Sequence, residues 1–333
     1  MECAVVGAGS FGTCLAIQLG RLDHRVTLWD HREDRAAETQ QKRENRQYLP
    51  GIVLPESVEV SHRIDHVLAG KRLVVAVVPS QSMREVFTQA APHLDAHAIV
   101  CSAAKGIENK TYDTMSDVLT EVLPERLHDR ICALSGPSFA AEVARDMPTA
   151  VVVAGRDEIA THRVASAFHG SKFRVYHSED LVGVQIGGAL KNIMAIACGI
   201  SDGMGLGDNA RAGIITRGLA EITRVGVAKG ANPLTFSGLA GLGDLVLTCT
   251  GDLSRNRRVG LALGGGKTLT QILDELGQVA EGVKTARSAF NLAGRLDVEL
   301  PITEQIYRIL YEDKPAAEAM MDLLARRRKA ERD

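Results

Sequence analysis

Apolar residues recur in two different ways along the chain, and the change falls near residue 180. In the first part, short apolar runs with the length and composition of buried strands alternate with helix-length segments. Alternation of this kind predicts a largely parallel sheet that is covered by helices on both faces. The predicted strands are 2–6, 25–29, 73–77, 98–101, 131–134, 150–154 and 172–176.

Beyond residue 180 the apolar residues return every three or four positions, which is the helical period. A chain of 333 residues also exceeds the size of one average core. We therefore expect an α/β protein with a doubly wound N-terminal domain over 1–179 and an all-helical C-terminal domain over 180–333. The predicted helices of the second domain are 180–199, 209–229, 254–263, 282–296, 301–311 and 315–328.

The segment 180–199 is apolar on all sides and contains one lysine, Lys191. A helix that is apolar all round is a buried helix. Burying an ammonium group is costly unless it meets a partner or loses its proton, so Lys191 is a candidate functional residue. The alternative is a lysine whose stem carries its amino group to the surface. A transmembrane helix is disfavoured, because a lysine at its centre costs about 3 kcal/mol.

A glycine-rich turn joins the first predicted strand to a helical segment. Gly7, Gly9 and Gly12 have the GxGxxG spacing, with Ser10 and Phe11 between them. In this context the glycines make a tight turn and let backbone N–H groups approach a pyrophosphate at the helix N-terminus. We expect a dinucleotide-binding domain of the Rossmann type, and the alternative is a purely structural turn.

The end of the second predicted strand bears on which dinucleotide binds. Asp30 suits a ribose 2′-hydroxyl group, whereas His31 and Arg32 suit a 2′-phosphate. The sequence therefore predicts measurable activity with both NAD and NADP.

Two segments follow predicted strands at the carboxyl edge of the sheet, where such sheets bind ligands. Lys105 lies in SAAKG after the strand at 98–101, and Ser138 lies in SGPSFA after the strand at 131–134. Taken singly, a surface lysine and a helix cap explain these segments at least as well as ligand binding does.

Two further candidates lie in the helical part. Asp244 ends the flexible segment GLAGLGD, where it could cap the following apolar run or hold a lysine. Ser254, Arg255 and Asn256 begin a helix with a capping serine and a guanidinium group, which is the outline of a phosphate site. A capped helix with a basic solvated face is the equal alternative.

Composition removes several classes of partner. The formal net charge of −2 gives no general attraction to nucleic acid or to an anionic membrane.

Six cysteines are scattered without a CxxC pair, which predicts reduced, buried thiols in a cytoplasmic protein. A strand from residue 2 leaves no place for a signal segment. No metal site is expected, because the histidine pairs at 62/66 and 93/97 lack a third ligand.

Together these segments resemble the NAD(P)-dependent glycerol-3-phosphate dehydrogenases of the bacterial type, in order along nearly the whole chain. Asp30 stands where that family often has a small residue. The motifs are GAGSFGT (7–13), NRQYLPG (45–51), VPSQ (78–81), KGIE (105–108), SGPSFAAEVA (135–144), GGALKNIMAIACGISDGMGLGDNARA (187–212), TRGLAEITR (216–224), TFSGLAGLGDL (235–245) and SRNRR (254–258).

The resemblance implies reversible reduction of dihydroxyacetone phosphate to sn-glycerol 3-phosphate for phospholipid synthesis. The sequence leaves the oligomeric state open, with a homodimer as one candidate. It implies that Lys191 is the proton donor or acceptor, assisted by Lys105 and Asp244. The implied substrate contacts are Lys105, Gly136, Ser138, Lys191, Asp244, Ser254, Arg255 and Asn256. The implied cofactor contacts are the glycine turn with Ser10 and Phe11, and His31, Arg32, Lys105, Ala140, Arg255, Val279 and Glu281.

Two alternatives remain at this point. One is a related two-domain dehydrogenase that acts on a 3-hydroxy acid. The other is a nucleotide-sensing protein of the same fold without catalytic activity. The helix start at 254–256 favours a phosphate over a carboxylate, and the presence of Lys191 and Asp244 favours catalysis.

Overall fold

The N-terminal part of the chain forms one eight-stranded sheet. In the computed structural model, which describes residues 1–276, 280–327 and 330, the strands lie in the order β3-β2-β1-β4-β5-β6-β7-β8. Neighbouring strands are parallel except for β6 and β7. The strands are β1 Glu2–Val6, β2 Arg25–Trp29, β3 Val58–Ser61, β4 Leu73–Ala76, β5 Ile99–Ser102, β6 Ile131–Ser135, β7 Thr149–Gly155 and β8 Phe173–Ser178.

The antiparallel step and the strand β3 were not predicted. Segment 136–148 contains only a five-residue helix, so the chain returns at the same edge of the sheet and β7 pairs antiparallel to β6. In β3, Val58 and Val60 are buried while Glu59 is exposed. This strand lies at the end of the sheet and is too short for its alternation to be recognised in the sequence.

Helices cover both faces of the sheet, as the alternation predicts. One core cluster contains Leu15, Leu19 and Phe168, and the cluster on the opposite face contains Phe87 and Leu119. The helices of this domain are α1 Ser10–Arg21, α2 Glu33–Lys42, α3 Ile64–Leu68, α4 Met83–Ala90, α5 Met115–Val122, α6 Ala140–Ala144 and α7 Glu158–Phe168.

The described residues beyond 180 contain helices and no strand, as predicted. The short helices α10 and α12 were missed, because neither is long enough to show a clear helical period. The helices are α8 Leu181–Gly203, α9 Gly207–Ala228, α10 Asp244–Thr250, α11 Arg255–Gly264, α12 Leu269–Leu276, α13 Glu281–Leu296, α14 Pro301–Tyr311 and α15 Ala316–Leu324.

The helix α8 is the centre of the second domain and packs against α9, α10, α11, α13 and α14, as well as against β6 and β7. Asp180 starts it, because this side chain accepts hydrogen bonds from the backbone N–H of Gly183, at 2.8 Å, and from the Thr235 hydroxyl, at 2.6 Å. By length and composition α8 could cross a membrane, but 94% of its most apolar window is buried inside the protein. It is therefore the core helix that its apolar pattern predicts.

The helices α8 and α11 touch backbone to backbone through glycines four residues apart. A methyl group on Gly260 would lie 2.1 Å from the carbonyl oxygen of Ile196, and one on Gly199 would lie equally close to the carbonyl oxygen of Arg257. One turn later, Gly203 and Gly264 repeat the contact. This close approach places the N-terminus of α11 beside the middle of α8, where Lys191 lies.

We predict that Gly260→Ala destabilises the protein by about 1–3 kcal/mol or more, because the added methyl group forces two helix backbones apart. The free energy of unfolding in urea measures the effect. The control is Gly294→Ala on α13, where an added methyl group meets nothing within 4 Å. That change should be neutral or stabilising by up to about 1 kcal/mol. Equal stability of the two variants would contradict the close packing.

Candidate active site

Lys191 does not reach the surface. Its side chain is 7% exposed, and its Nζ donates to Asp244 Oδ1 at 2.6 Å and to Thr248 Oγ1 at 2.7 Å. Burial lowers the pKa of this lysine from its ordinary value to about 8, and the Asp244 carboxylate opposes the shift. A neighbouring positive charge on Lys105 adds to the lowering. Lys191 is thus largely protonated at pH 7 and can release its proton near pH 8.

Asp244 joins two lysines that come from different domains. It is 1% exposed, and its second oxygen, Oδ2, accepts from Lys105 Nζ at 2.6 Å. Lys105 also donates to the carbonyl oxygen of Gly136 at 3.1 Å. Two ammonium groups and one carboxylate give this cluster a formal charge of +1, which suits an anionic ligand.

The local fold explains why Asp244 points at the lysines. The residue before it, Gly243, is the N-cap of α10, so the interpretation of Asp244 as a helix cap is wrong. A π-helical turn over Leu239–Gly243 precedes α10, and α8 runs close against it. A methyl group on Gly187 of α8 would lie 2.5 Å from the carbonyl oxygen of Ala240. The missing side chain lets α10 approach α8 until Asp244 meets Lys191.

The start of α11 adds polar groups next to the lysine cluster. Ser254 is its N-cap and accepts from the backbone N–H of Arg257 at 3.2 Å, as predicted from the capping serine. The Asn256 side-chain amide donates to Asn192 Oδ1 at 2.9 Å and accepts from the backbone N–H of Gly282 at 3.0 Å. Asn192 directly follows Lys191, so this network links the start of α11 to the lysine.

Arg255 is exposed at the start of α11. Its guanidinium group lies within electrostatic range of the Glu281 carboxylate and the Tyr48 phenol. Glu281 begins α13 and accepts from the Ser80 hydroxyl of the first domain at 2.7 Å. Burial raises the pKa of Glu281. The predicted contact Val279 lies outside the described residues.

The glycine turn has the geometry of an anion cradle. Gly7 adopts φ +122°, and a methyl group on Gly12 would lie 1.8 Å from the carbonyl oxygen of Gly7. Gly9 caps α1 without a side-chain hydrogen bond, and an added methyl group there would meet nothing within 4 Å. The open space lies at the N-terminus of α1, where free N–H groups favour a pyrophosphate. The residues present therefore fit a dinucleotide.

Other predicted residues surround this cradle. The Ser10 hydroxyl donates to the carbonyl oxygen of Tyr48 at 2.7 Å, and the Phe11 ring centre lies 5.6 Å from Lys105 Nζ. Ser138 donates to the carbonyl oxygen of Gly136 at 2.9 Å, and Ala140 begins α6. The glycine turn, the lysine cluster and the loop 136–138 thus meet at the carboxyl edge of the sheet.

One of the charged residues after β2, Asp30, differs from the expectation. Asp30 is 1% exposed and forms a bidentate ion pair with Arg35, so it is not the free ribose acceptor that the sequence suggests. Arg32 pairs instead with the exposed Asp34, and the His31 side chain is 67% exposed. These residues do not join the lysine cluster.

Three side chains around the site were not predicted from the sequence: Thr248, Asn192 and Arg35. Thr248 stands four residues after Asp244, so the helical period alone places both on one face of α10. Asn192 is polar in an apolar helix, as Lys191 is. Nothing in the sequence marks Arg35 among the charged residues of α2. Among the described residues, no group of three or more His, Cys, Asp or Glu is placed to hold a metal ion.

Known proteins match both domains. The model of the NAD-dependent glycerol-3-phosphate dehydrogenase N-terminus matches residues 2–161, and that of the C-terminus matches residues 180–321. The chain belongs to the NAD-dependent glycerol-3-phosphate dehydrogenase family. It is therefore an oxidoreductase that uses NAD(P), and the matches do not favour the two alternative functions.

Relatives confirm this membership over the full length. The glycerol-3-phosphate dehydrogenase [NAD(P)+] of Geobacter sp. (strain M21) is 54% identical over 330 residues, which cover 99% of this chain and 98% of the relative. The protein of that name from Syntrophotalea carbinolica is 54% identical, with complete coverage of both chains. The crystal structure of glycerol-3-phosphate dehydrogenase from Coxiella burnetii matches with a TM-score of 0.93 at 40% identity, covering 98% of this chain and 99% of that one.

We predict that Gly9→Ala weakens binding of NADPH by about tenfold or more, because the methyl group occupies space that the pyrophosphate needs while disturbing no protein atom. Quenching or enhancement of the bound nicotinamide fluorescence measures the dissociation constant. The melting temperature should stay within about 1 °C of the parent's. Gly294→Ala is the matched control and should change neither quantity. Unchanged NADPH affinity in Gly9→Ala would place the cofactor elsewhere.

Proposed function

We propose that this dehydrogenase reversibly reduces dihydroxyacetone phosphate to sn-glycerol 3-phosphate in the cytoplasm, for glycerophospholipid synthesis. The supporting observation is a cationic cluster around Asp244 beside a helix N-terminus and a dinucleotide cradle. The names of the relatives supply the substrate.

The cofactor supplies or accepts the hydride at the carbonyl carbon, and the protein manages the proton and the phosphate. In this proposal Lys191 is the general acid in reduction and the general base in oxidation. Its bonds to Asp244 and Thr248 use two of its three N–H donors, which leaves the third for the substrate oxygen. A pKa of about 8 allows both directions near neutral pH.

Asp244 and Lys105 hold Lys191 in place and adjust its charge. Burial has the largest effect on the pKa of Lys191 and lowers it. The Asp244 carboxylate raises this pKa, and the positive charge of Lys105 lowers it further. Since Lys105 also contacts Gly136, it is placed to share the substrate oxygen with Ser138 of the same loop. The cluster therefore positions an anionic substrate and supplies a proton at one point.

The start of α11 is proposed to bind the phosphate. Ser254 and Asn256 are held by their own hydrogen bonds, so the helix N-terminus is preorganised. Arg255 adds a guanidinium group that can make two hydrogen bonds to phosphate. Because the network through Asn192 ties this end to Lys191, a bound phosphate fixes where the carbonyl lies. Glu281 and Ala140, with Val279, are proposed to complete the cofactor site.

We predict that Lys191→Met lowers kcat for reduction of dihydroxyacetone phosphate by about 10² to 10⁴-fold, the contribution of a positioned general acid. In the parent protein, kcat/KM for reduction should fall as pH rises through about 8, since the acid form is lost, and kcat/KM for oxidation should rise. Rates followed at 340 nm from pH 6 to 10 test both statements.

The matched control is Lys71→Met. Lys71 is also buried and paired with a carboxylate, Glu2, but this pair lies at the amino ends of β1 and β4, on the other side of the sheet from its carboxyl edge. Its loss should leave the rate and the pH profile unchanged. A folded Lys191→Met protein with near-normal turnover would refute the assignment of the general acid.

We predict that Arg255→Lys lowers kcat/KM for dihydroxyacetone phosphate, because lysine keeps the charge and loses the planar fork of the guanidinium group. The corresponding loss of transition-state stabilisation should be about 1.5–3 kcal/mol. With unphosphorylated dihydroxyacetone, a poor substrate of both proteins, the change should have almost no effect. Part of the phosphate binding energy acts in the transition state, so kcat should fall as KM rises.

Arg258→Lys is the matched control, since Arg258 is exposed on the same helix. It should alter neither substrate's kinetics. Equal losses on both substrates in Arg255→Lys would show that this arginine supports the fold or the cofactor and not the phosphate.

A further inference from the structure

Asp30 stands where a Rossmann-type domain places the carboxylate that accepts the hydroxyl groups of the adenosine ribose. In this chain both of its oxygens are already bound. Oδ2 accepts from Arg35 Nε at 2.5 Å, and Oδ1 accepts from Arg35 Nη2 at 2.6 Å and from the backbone N–H of Arg32 at 3.0 Å. Both oxygens of the carboxylate are therefore engaged by groups of the protein.

Arg35 is built into the same corner from a second side. Its side chain is 11% exposed, its Nη1 donates to Gln47 Oε1 at 3.2 Å, and its guanidinium carbon lies 5.0 Å from the centre of the Tyr48 ring. The bidentate bonds to Asp30 match the planar geometry of both groups. Breaking such a pair would leave an uncompensated buried charge, so it persists when a ligand arrives.

The loop that carries Tyr48 is itself anchored beside the cradle. Ser10 donates to the carbonyl oxygen of Tyr48, and Asn45 donates to the carbonyl oxygen of Ala8 at 2.8 Å. The ion pair thus closes a fixed wall between β2, α2 and the loop. In a Rossmann-type domain the end of the second strand lies at the adenosine ribose, so this wall borders the adenosine end of the cofactor site.

The pair also decides which charges remain for the cofactor. The negative charge of Asp30 and the positive charge of Arg35 cancel. Two cationic residues flank this pair. His31 is 67% exposed, with its Nδ1 3.7 Å from Asp30 Oδ1, and Arg32 forms a surface pair with Asp34 in which both side chains are more than half exposed. A surface pair of this kind contributes little and can be exchanged for a phosphate.

We propose that Arg35 is a specificity-determining residue that permits NADP binding: it withdraws Asp30 from the cofactor pocket, so this carboxylate neither selects the 2′-hydroxyl group nor repels a 2′-phosphate. The inference depends on the NAD(P) cofactor of the family and on none of the proposed substrate roles. It explains how a chain with an aspartate at this position can use both cofactors.

The test measures dissociation constants of NADPH and NADH by fluorescence, on the full-length protein without substrate. In Arg35→Met the freed Asp30 carboxylate should weaken NADPH relative to NADH by about tenfold or more, as expected for one nearby like charge. Asp30→Asn should shift the ratio the other way, because Arg35 is then unopposed. The double variant Asp30→Asn with Arg35→Met should return to within about threefold of the parent ratio.

Three results would overturn the proposed role of Arg35. If Arg35 instead contacted the 2′-phosphate directly, the double variant would stay as poor in NADPH binding as Arg35→Met, which overturns the proposal. Equal loss of both cofactors in Arg35→Met would indicate a purely structural role and also overturns it. If Arg35→Met does not fold, an Asp30→Asn variant without a shift toward NADPH is sufficient to reject it.

Arg63→Met is the control for surface charge. Arg63 forms the same kind of exposed pair, with Asp65, and should leave the ratio unchanged. Since no substrate is present, a wrong assignment of the substrate roles of Lys191 and Arg255 cannot change the result.

Discussion

The Asp244 carboxylate is the constraint on which the active site depends. It is buried between two ammonium groups, one from the loop after β5 and one from α8, and each oxygen serves one lysine. A buried charge must be compensated where it lies, so neither lysine can move away without a large loss of free energy. The two domains are therefore held together at the point where the chemistry is proposed to occur.

Other polar contacts join the two domains along their boundary, which we call the seam. Ser80 of the first domain binds Glu281 of the second, and Ser288 on α13 donates to the carbonyl oxygen of Ile107 at 2.9 Å. Gln185 on α8 accepts from the backbone N–H of Ser116 at 2.8 Å. Each contact satisfies a buried polar group by reaching across the seam, as buried polar groups require. The site is thus assembled from both domains and belongs to neither alone.

Backbone packing sets the distances within the second domain. Where α8 meets the π-helical turn and where it meets α11, glycines remove the side chains that would otherwise separate the backbones. Helices with ordinary side chains pack 8–10 Å apart. The closer approach here lets short side chains such as Asp244 and Asn256 reach α8 directly.

The sequence by itself determined the parts of the protein whose signals are local. Periodicity and length separated the strands from the helices, the spacing of glycines predicted the cradle, and an apolar helix with one lysine made Lys191 a candidate site residue. The family motifs then gave the cofactor class and the substrate. These signals are local, so they can be recognised without knowing which residues pack against each segment.

Tertiary structure decided the contacts between residues that are distant in the chain. Whether Asp244 caps a helix or bridges two lysines depends on how closely α10 approaches α8, and that distance is set by Gly187 of α8, which packs against the π-helical turn before α10. Asp30 could not be assigned from its position after β2, because the guanidinium group that binds it is one of many charges on α2. A charge acts through its partner and its burial, and only packing fixes both.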